Sequence, residues 1–152
     1  MIAGFRGEYS FLSNFHSLER PLVFEGVSYK TVEHFYVAMK TKNKRIRKLV
    51  ALHPSKGLKE FGRNITLRDD WEDVKVSFML QALRWKFSKY NPTLRRKLVF
   101  TKDEYLREDN TWRDTFWGFC VKTCRGQNNL GKLLMQIRSE ILEERKLLRE
   151  KR

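Results

Sequence analysis

Cysteine is scarce in this chain: Cys120 and Cys124 are the only two among 152 residues. Three residues separate them, not the two of a redox or zinc-knuckle pair, so two reduced thiols in an irregular segment are expected. His16, His34 and His53 stand apart from the cysteines and from one another. No set of four ligands falls at a familiar spacing, so neither a metal site nor a bound cofactor is expected. Linker-like and low-complexity stretches are missing too, and the length fits one compact domain over residues 1–152. No run of about 18 apolar residues occurs, so no transmembrane helix and no membrane partner are expected. The first residues, "MIAGFRGEYSFLSNF", lack the basic start and apolar run of a signal peptide, which makes a cytoplasmic location the expectation.

Acidic residues are also in short supply. There are 18 against 32 Lys and Arg, giving a net charge of +14. An excess of this size favours anionic partners, whether a phosphorylated small molecule, a dinucleotide or nucleic acid, without choosing among them. The charge concentrates in "KTKNKRIRK" (40–48), in "RRK" (95–97) and in the C-terminal "RKLLREKR", where interspersed glutamates suggest a solvated helix end over about 143–152. Aromatic residues, by contrast, make up 13% and apolar residues 41%, enough for a core without cross-links.

Periodicity gives a mostly helical α+β reading with a small β element near the N-terminus. "PLVFEGVSYK", with Gly26 central, predicts a hairpin. Thr31 is placed to cap a helix whose Val32, Phe35, Tyr36 and Met39 form one apolar face. Helices are expected over "RIRKLVAL" up to Pro54, within 55–62, from Asp69 or Asp70 to about Tyr90, from Pro92, and from about Leu130 to the end. Residues 118–129 have no clear period.

Four segments could carry chemistry. In "TVEHFYVAMK" (31–40), Glu33 and Lys40 lie two helical turns apart, roughly 10 Å along the axis, on nearly one face. A ligand lying there could touch both, and the helix dipole favours an ionised Glu33. They could equally be the wet side of a core helix. "FLSNF" (11–15) sets Ser13 and Asn14 between phenylalanines, suited to a base edge and a planar ring, or to a simple turn. "DNTWRDTFWG" (109–118) joins Asp114 and Trp117 in an irregular stretch, either a ligand-facing loop or an anchoring one. "RGQNNLGKLLM" (125–135) is a polar helix start suited to phosphate or to plain capping, and it lacks the ending of a Walker A loop.

These segments occur in an order that resembles the YbiA-like, or NADAR, family. The matching motifs are "FLSNF", "VEHFYVAMK", Gly62-Arg63, Trp71 through Met79 to Lys86-Phe87, "DTFWG", and "GQNNLGKLLMQIR", which together span Phe11 to Arg138. The resemblance implies a hydrolase of N-glycosidic bonds. Its substrates would be phosphorylated riboflavin-pathway intermediates or ADP-ribose conjugates, including ADP-ribosylated guanine in nucleic acid. It implies Glu33, Lys40 and Asp114 as catalytic residues. Phe11, Ser13, Asn14, His34, Tyr36, Arg63, Trp71, Trp117, Gly118, Asn128 and Gly131 would bind substrate or shape its pocket. Lys40 could form a Schiff base with an opened ribose if cationic neighbours, Lys42 and Lys44, lower its pKa. Two departures stand out. The family helix commonly carries Gln where this chain has Val37, and "FCVKTC" replaces a glycine-rich run found in some relatives. The alternative is a basic module that binds nucleic acid or ADP-ribose without cleaving it. Oligomeric state is not legible.

Overall fold

A computed structural model describes all residues, Met1 to Arg152. The chain divides into two compact units, one formed by Met1–Ser13 with Thr93–Arg152, the other by Asn14–Pro92.

The Asn14–Pro92 unit is built around a single helix. The predicted hairpin is present, with β2 (Leu22–Phe24) antiparallel to β3 (Val27–Tyr29) across a turn in which Glu25 and Gly26 both have positive φ. Helix α1 (Val32–Met39) follows and contacts α2 (Lys44–Leu52), α3 (Leu58–Arg63), α4 (Trp71–Lys86) and β3. All eight of its residues are buried, so the apolar face expected from periodicity has no wet side opposite it. Phe24, Tyr29, Phe35 and Phe78 make edge-on pairs with ring centroids 5.5–6.4 Å apart, the geometry that aromatic quadrupoles favour.

Such a helix must satisfy its own polar groups. Thr31 does cap it: its hydroxyl oxygen accepts from the His34 N–H at 3.1 Å. His34 is fully buried and completes the arrangement. Its Nε2 donates to the His53 carbonyl at 2.8 Å, which leaves Nδ1 to accept from the Thr31 hydroxyl at 2.6 Å. His34 therefore pins the start of α1 to the end of α2 and presents no surface to a ligand. The resemblance had placed it among the binding residues; the structure gives it a positioning role.

Helix α4 stops at Lys86 rather than near Tyr90. Asn91 explains the difference: its Nδ2 donates to the Trp85 carbonyl at 3.0 Å, while its Oδ1 accepts from the Arg20 N–H at 2.8 Å. The Trp85 indole in turn donates to the Arg20 carbonyl. The last turn is thereby diverted into a bend over 88–91 that anchors the segment ahead of the hairpin.

The other unit carries more β structure than the sequence suggested. β1 (Ile2–Ala3) pairs in parallel with β4 (Leu106–Arg107), and β5 (Asp109–Asn110) pairs in parallel with β6 (Phe119–Cys120). A 3-10 helix covers Gly7–Leu12, α5 spans Pro92–Val99 from the unit boundary, and α6 runs from Asn129 to Glu150. Two-residue parallel strands leave no period-2 signature, which is why they were not legible. Leu130, Leu134, Ile137 and Ile141 line the buried face of α6, and beyond Ile141 every residue is exposed.

Gly131 sits where α6 meets β4. A Cβ there would lie 2.1 Å from the Leu106 carbonyl oxygen and 2.5 Å from the Asn128 amide. Asn128, in the left-handed region at φ 52°, donates from Nδ2 to that same carbonyl at 2.8 Å and accepts from the Glu108 N–H at 3.0 Å. Both residues hold the fold together at this point, where the Asn128, Asn129 and Leu130 N–H groups also donate to the Gly118, Phe116 and Trp117 carbonyls.

Two outcomes follow for stability. Gly131→Ala should destabilise by about 1–3 kcal/mol or more, because backbone rather than a flexible side chain blocks the methyl group; chemical denaturation measures this. Burial holds the His34 pKa below its ordinary 6.5. The native state thus resists a proton that the unfolded chain accepts, and stability should fall as pH drops through about 6.5. Thermal melts from pH 7.5 to 5 should show that loss, and His34→Gln should flatten it.

Candidate active site

In the Asn14–Pro92 unit, α1 sets Glu33, Tyr36 and Lys40 along one side, at spacings of three and four residues. The "FLSNF" segment, interrupted by the unit boundary after Ser13, supplies Asn14 on this side. The Asn14 carbonyl accepts the Glu33 N–H at 3.0 Å and so occupies one of the first-turn donors of α1. Its side-chain amide donates to the Met79 sulfur at 3.7 Å, while its Oδ1 is buried with no hydrogen-bond partner. Glu33 is 8% exposed, a carboxylate largely removed from water.

Tyr36 and Trp71, both buried, meet with ring centroids 5.0 Å apart at 55°. Trp71 opens α4, as its place after Asp70 predicts. The preceding stretch is tied to α1 by a 2.7 Å bond from the Arg68 N–H to the Lys40 carbonyl.

Helix α3 completes the group. Gly62 permits a close approach: a Cβ at this position would sit 3.1 Å from Val37 Cγ1 and 3.5 Å from the Lys40 amine. Val37, where relatives commonly carry Gln, is buried against this bare backbone. Lys59 and Arg63 flank Gly62 on α3 at i and i+4, and the Lys59 ammonium lies 5.7 Å from the centre of the Phe15 ring.

Lys40 is held below the ordinary lysine pKa. Burial of the ammonium is the main cause, Glu33 opposes it, and Arg63 and Lys59 reinforce it. The neighbours expected from sequence, Lys42 and Lys44, are not the ones that act. They adjoin Lys40 only along the chain, whereas Lys59 and Arg63 reach it through folding. Lys59 escaped the sequence reading. Its i,i+4 relation to Arg63 was visible, but nothing in the sequence set α3 against α1.

The second unit holds the remaining candidates. Asp114 and Trp117 lie in a loop organised by the buried Asn110. The Asn110 Oδ1 accepts from the Trp112 and Asp114 N–H groups at 3.2 and 3.1 Å, and its Nδ2 donates to the Asp114 carbonyl at 2.8 Å. Asp114 Oδ1 accepts from the Trp117 N–H at 3.1 Å, a contact that anchors the loop. Trp117 meets Phe116 edge-on with centroids 4.8 Å apart. Gly118 is required by packing, because a Cβ would fall 2.5 Å from the Glu108 carbonyl oxygen. Phe11 is a buried core ring with the Lys97 ammonium 5.8 Å from its centre, and Ser13 ends the 3-10 helix.

Residues 4–142 match the NADAR domain. This chain belongs to the NADAR domain family. Its 34% identity with the N-glycosidase YbiA of Shigella flexneri extends over 91% of the chain and 85% of that protein. An N-glycosidase of Nostoc punctiforme is 38% identical over 73% of each. The chloroplastic riboflavin biosynthesis protein PYRR of Arabidopsis thaliana is 46% identical over 56% of this chain, which spans only 14% of that longer protein. The solved structure of Escherichia coli YbiA superposes with a TM-score of 0.79 at 30% identity, covering 95% of this NADAR chain and 87% of the other. The α+β, mainly helical class is therefore that of the family, and the match runs through both compact units.

The neighbours of Lys40 give a signed expectation. Removing a nearby cation raises the lysine pKa, whereas neutralising Glu33 lowers it further. In Lys59→Met and Arg63→Met, the titration of Lys40, followed by NMR of a labelled side-chain amine, should move to higher pH; in Glu33→Gln it should move to lower pH. Asp114→Asn should keep the Trp117 cap, because an amide oxygen still accepts, and should melt within about 1 kcal/mol of wild type. Asp114→Ala should lose more.

Proposed function

We propose that this protein hydrolyses the N-glycosidic bond between a base and a phosphorylated ribose. The observation that carries this reading is the largely buried Glu33 carboxylate on the same side of α1 as an amine held below its usual pKa. Breaking a base–ribose bond generates positive charge at the sugar C1′. A preorganised anion in a poorly hydrated setting stabilises that charge strongly, with little reorganisation. Glu33 meets these requirements: it is largely desolvated, and its helix is fixed at both ends. The naming of several relatives as N-glycosidases supports the same chemistry.

Lys40 takes the second step in this reading. Its neutral amine bonds to C1′ as the base departs with its electron pair and gains a proton. Opening of the ribose ring then leaves an imine, which water hydrolyses to free the ribose aldehyde and restore the amine. The cations Lys59 and Arg63 keep more of the amine unprotonated and also suit a substrate phosphate. Tyr36 and Trp71 offer an aromatic wall of the kind on which a base stacks. The family motif carries Asp114 into the same proposal, as the carboxylate that positions water, ribose hydroxyls or the leaving base.

For the substrate, relatives named as riboflavin biosynthesis proteins favour a phosphorylated aminopyrimidine riboside from that pathway. An ADP-ribose conjugate, including ADP-ribosylated guanine in nucleic acid, is the second reading. The exposed Lys42, Lys44, Arg45 and Lys48 favour it, because they make a basic surface suited to a polyanion. Binding of nucleic acid without cleavage would show steep salt dependence and no base release.

A panel of phosphorylated aminopyrimidine ribosides, NAD, ADP-ribose conjugates and ADP-ribosylated DNA, assayed for free base, tests the proposal. Glu33→Gln should fold normally and lose about 10²-fold or more in turnover. Wild-type rates in that variant would remove Glu33 from the mechanism. Borohydride added during turnover should leave a reduced sugar on Lys40, detectable by mass spectrometry. An adduct-free Lys40, together with normal turnover by Lys40→Ala, would eliminate the imine.

A further inference from the structure

The "FCVKTC" segment (119–124) borders a cavity through Thr123. It lies wholly within the Met1–Ser13/Thr93–Arg152 unit, has a volume of about 550 Å³, and is lined by Arg113, Thr115, Thr123 and Arg125. Two guanidinium groups and two hydroxyls face it, and no carboxylate does. Neither arginine is held by an acidic partner, unlike Arg95 and Arg107 of the same unit, which pair with Glu144 and Asp109.

The loops around the cavity are fixed in conformations that L-residues rarely adopt. Arg113 has φ 64° and Cys124 has φ 53°, each a strained choice for a residue with a side chain. The structure over-determines them. Asn110 holds the Trp112 and Asp114 N–H groups on either side of Arg113, and Cys120 and Arg125 exchange backbone hydrogen bonds at 2.8 and 3.3 Å around Cys124. Arg113 and Thr115 are thus presented to the cavity from the two sides of Asp114. Strained, well-braced backbone that offers unpaired cations is typical of a ligand clamp, since the ordering is complete before the ligand arrives.

We propose that this cavity is a phosphate subsite, taking a phosphate or diphosphate group of a small anionic ligand. Arginine pairs with phosphate through two parallel N–H bonds, and the Thr115 hydroxyl can donate to a remaining oxygen. The subsite does not rest on the glycosidase reading.

Calorimetric titration with inorganic pyrophosphate is the direct test. The Arg113→Ala/Arg125→Ala variant should bind it about tenfold or more weakly than wild type, as expected for the loss of charge-assisted bonds. Lys146→Ala/Arg149→Ala removes the same charge from the exposed end of α6 and should bind like wild type. Equal affinity in the two double variants overturns the subsite. A single-stranded oligonucleotide serves as the other arm. If its binding alone weakens in the Arg113/Arg125 variant, the cations serve a polymer backbone and the small-ligand assignment fails. Absence of base release from every substrate in wild type would sink the glycosidase reading while leaving the pyrophosphate result to decide the subsite.

Discussion

Helix α1 has to be buried on every side while carrying a carboxylate, an imidazole and, at its end, an ammonium. Burial of this kind is tolerated only when each polar group is compensated. The solution differs at each position. His34 is kept neutral and uses both ring nitrogens, bridging Thr31 and the end of α2. Lys40 is pushed toward the neutral amine, with Glu33 resisting. The Glu33 N–H is taken by Asn14, from a segment outside the helix. Structural compensation and candidate chemistry are therefore one arrangement: the desolvation that burial imposes at this helix is what holds the Lys40 pKa down, beside the largely buried Glu33.

The close approach of α3 depends on the same constraint. Gly62 leaves room for Val37 and the Lys40 side chain, and so brings Lys59 and Arg63 to the amine. A longer polar side chain at position 37, as relatives commonly have, would need space that Val37 and Gly62 now share. The departure at Val37 is a change in how two helices pack as well as the loss of a possible hydrogen bond.

Much of the helical frame was legible, because its signals are local. Thr31 caps α1, the hairpin turns at Gly26, and Trp71 opens the longest internal helix. The parts that were not legible depend on partners distant in sequence. Asn91 ends α4 early by reaching Trp85 and Arg20. Asn128 and Gly131 both meet the Leu106 carbonyl, more than twenty residues away in the chain, by a hydrogen bond and by close packing. The two candidate carboxylates show the same limit. Motif order singled out Glu33 and Asp114, but only the fold distinguishes a largely buried carboxylate on a helix from a loop carboxylate capping an N–H.

The parallel pairing of Ile2 with Leu106 also bears on how the chain acquires its structure. In the Asn14–Pro92 unit, the strand partners lie a few residues apart, and the unit is continuous in sequence. The other unit is split, and its first strand emerges long before its mate exists. During synthesis β1 must wait through the whole of the intervening unit, and closing so long a loop carries an entropic charge that local pairs avoid. The helical unit around α1 therefore has all its partners in one continuous stretch, whereas the split unit can close only after that whole stretch has been made.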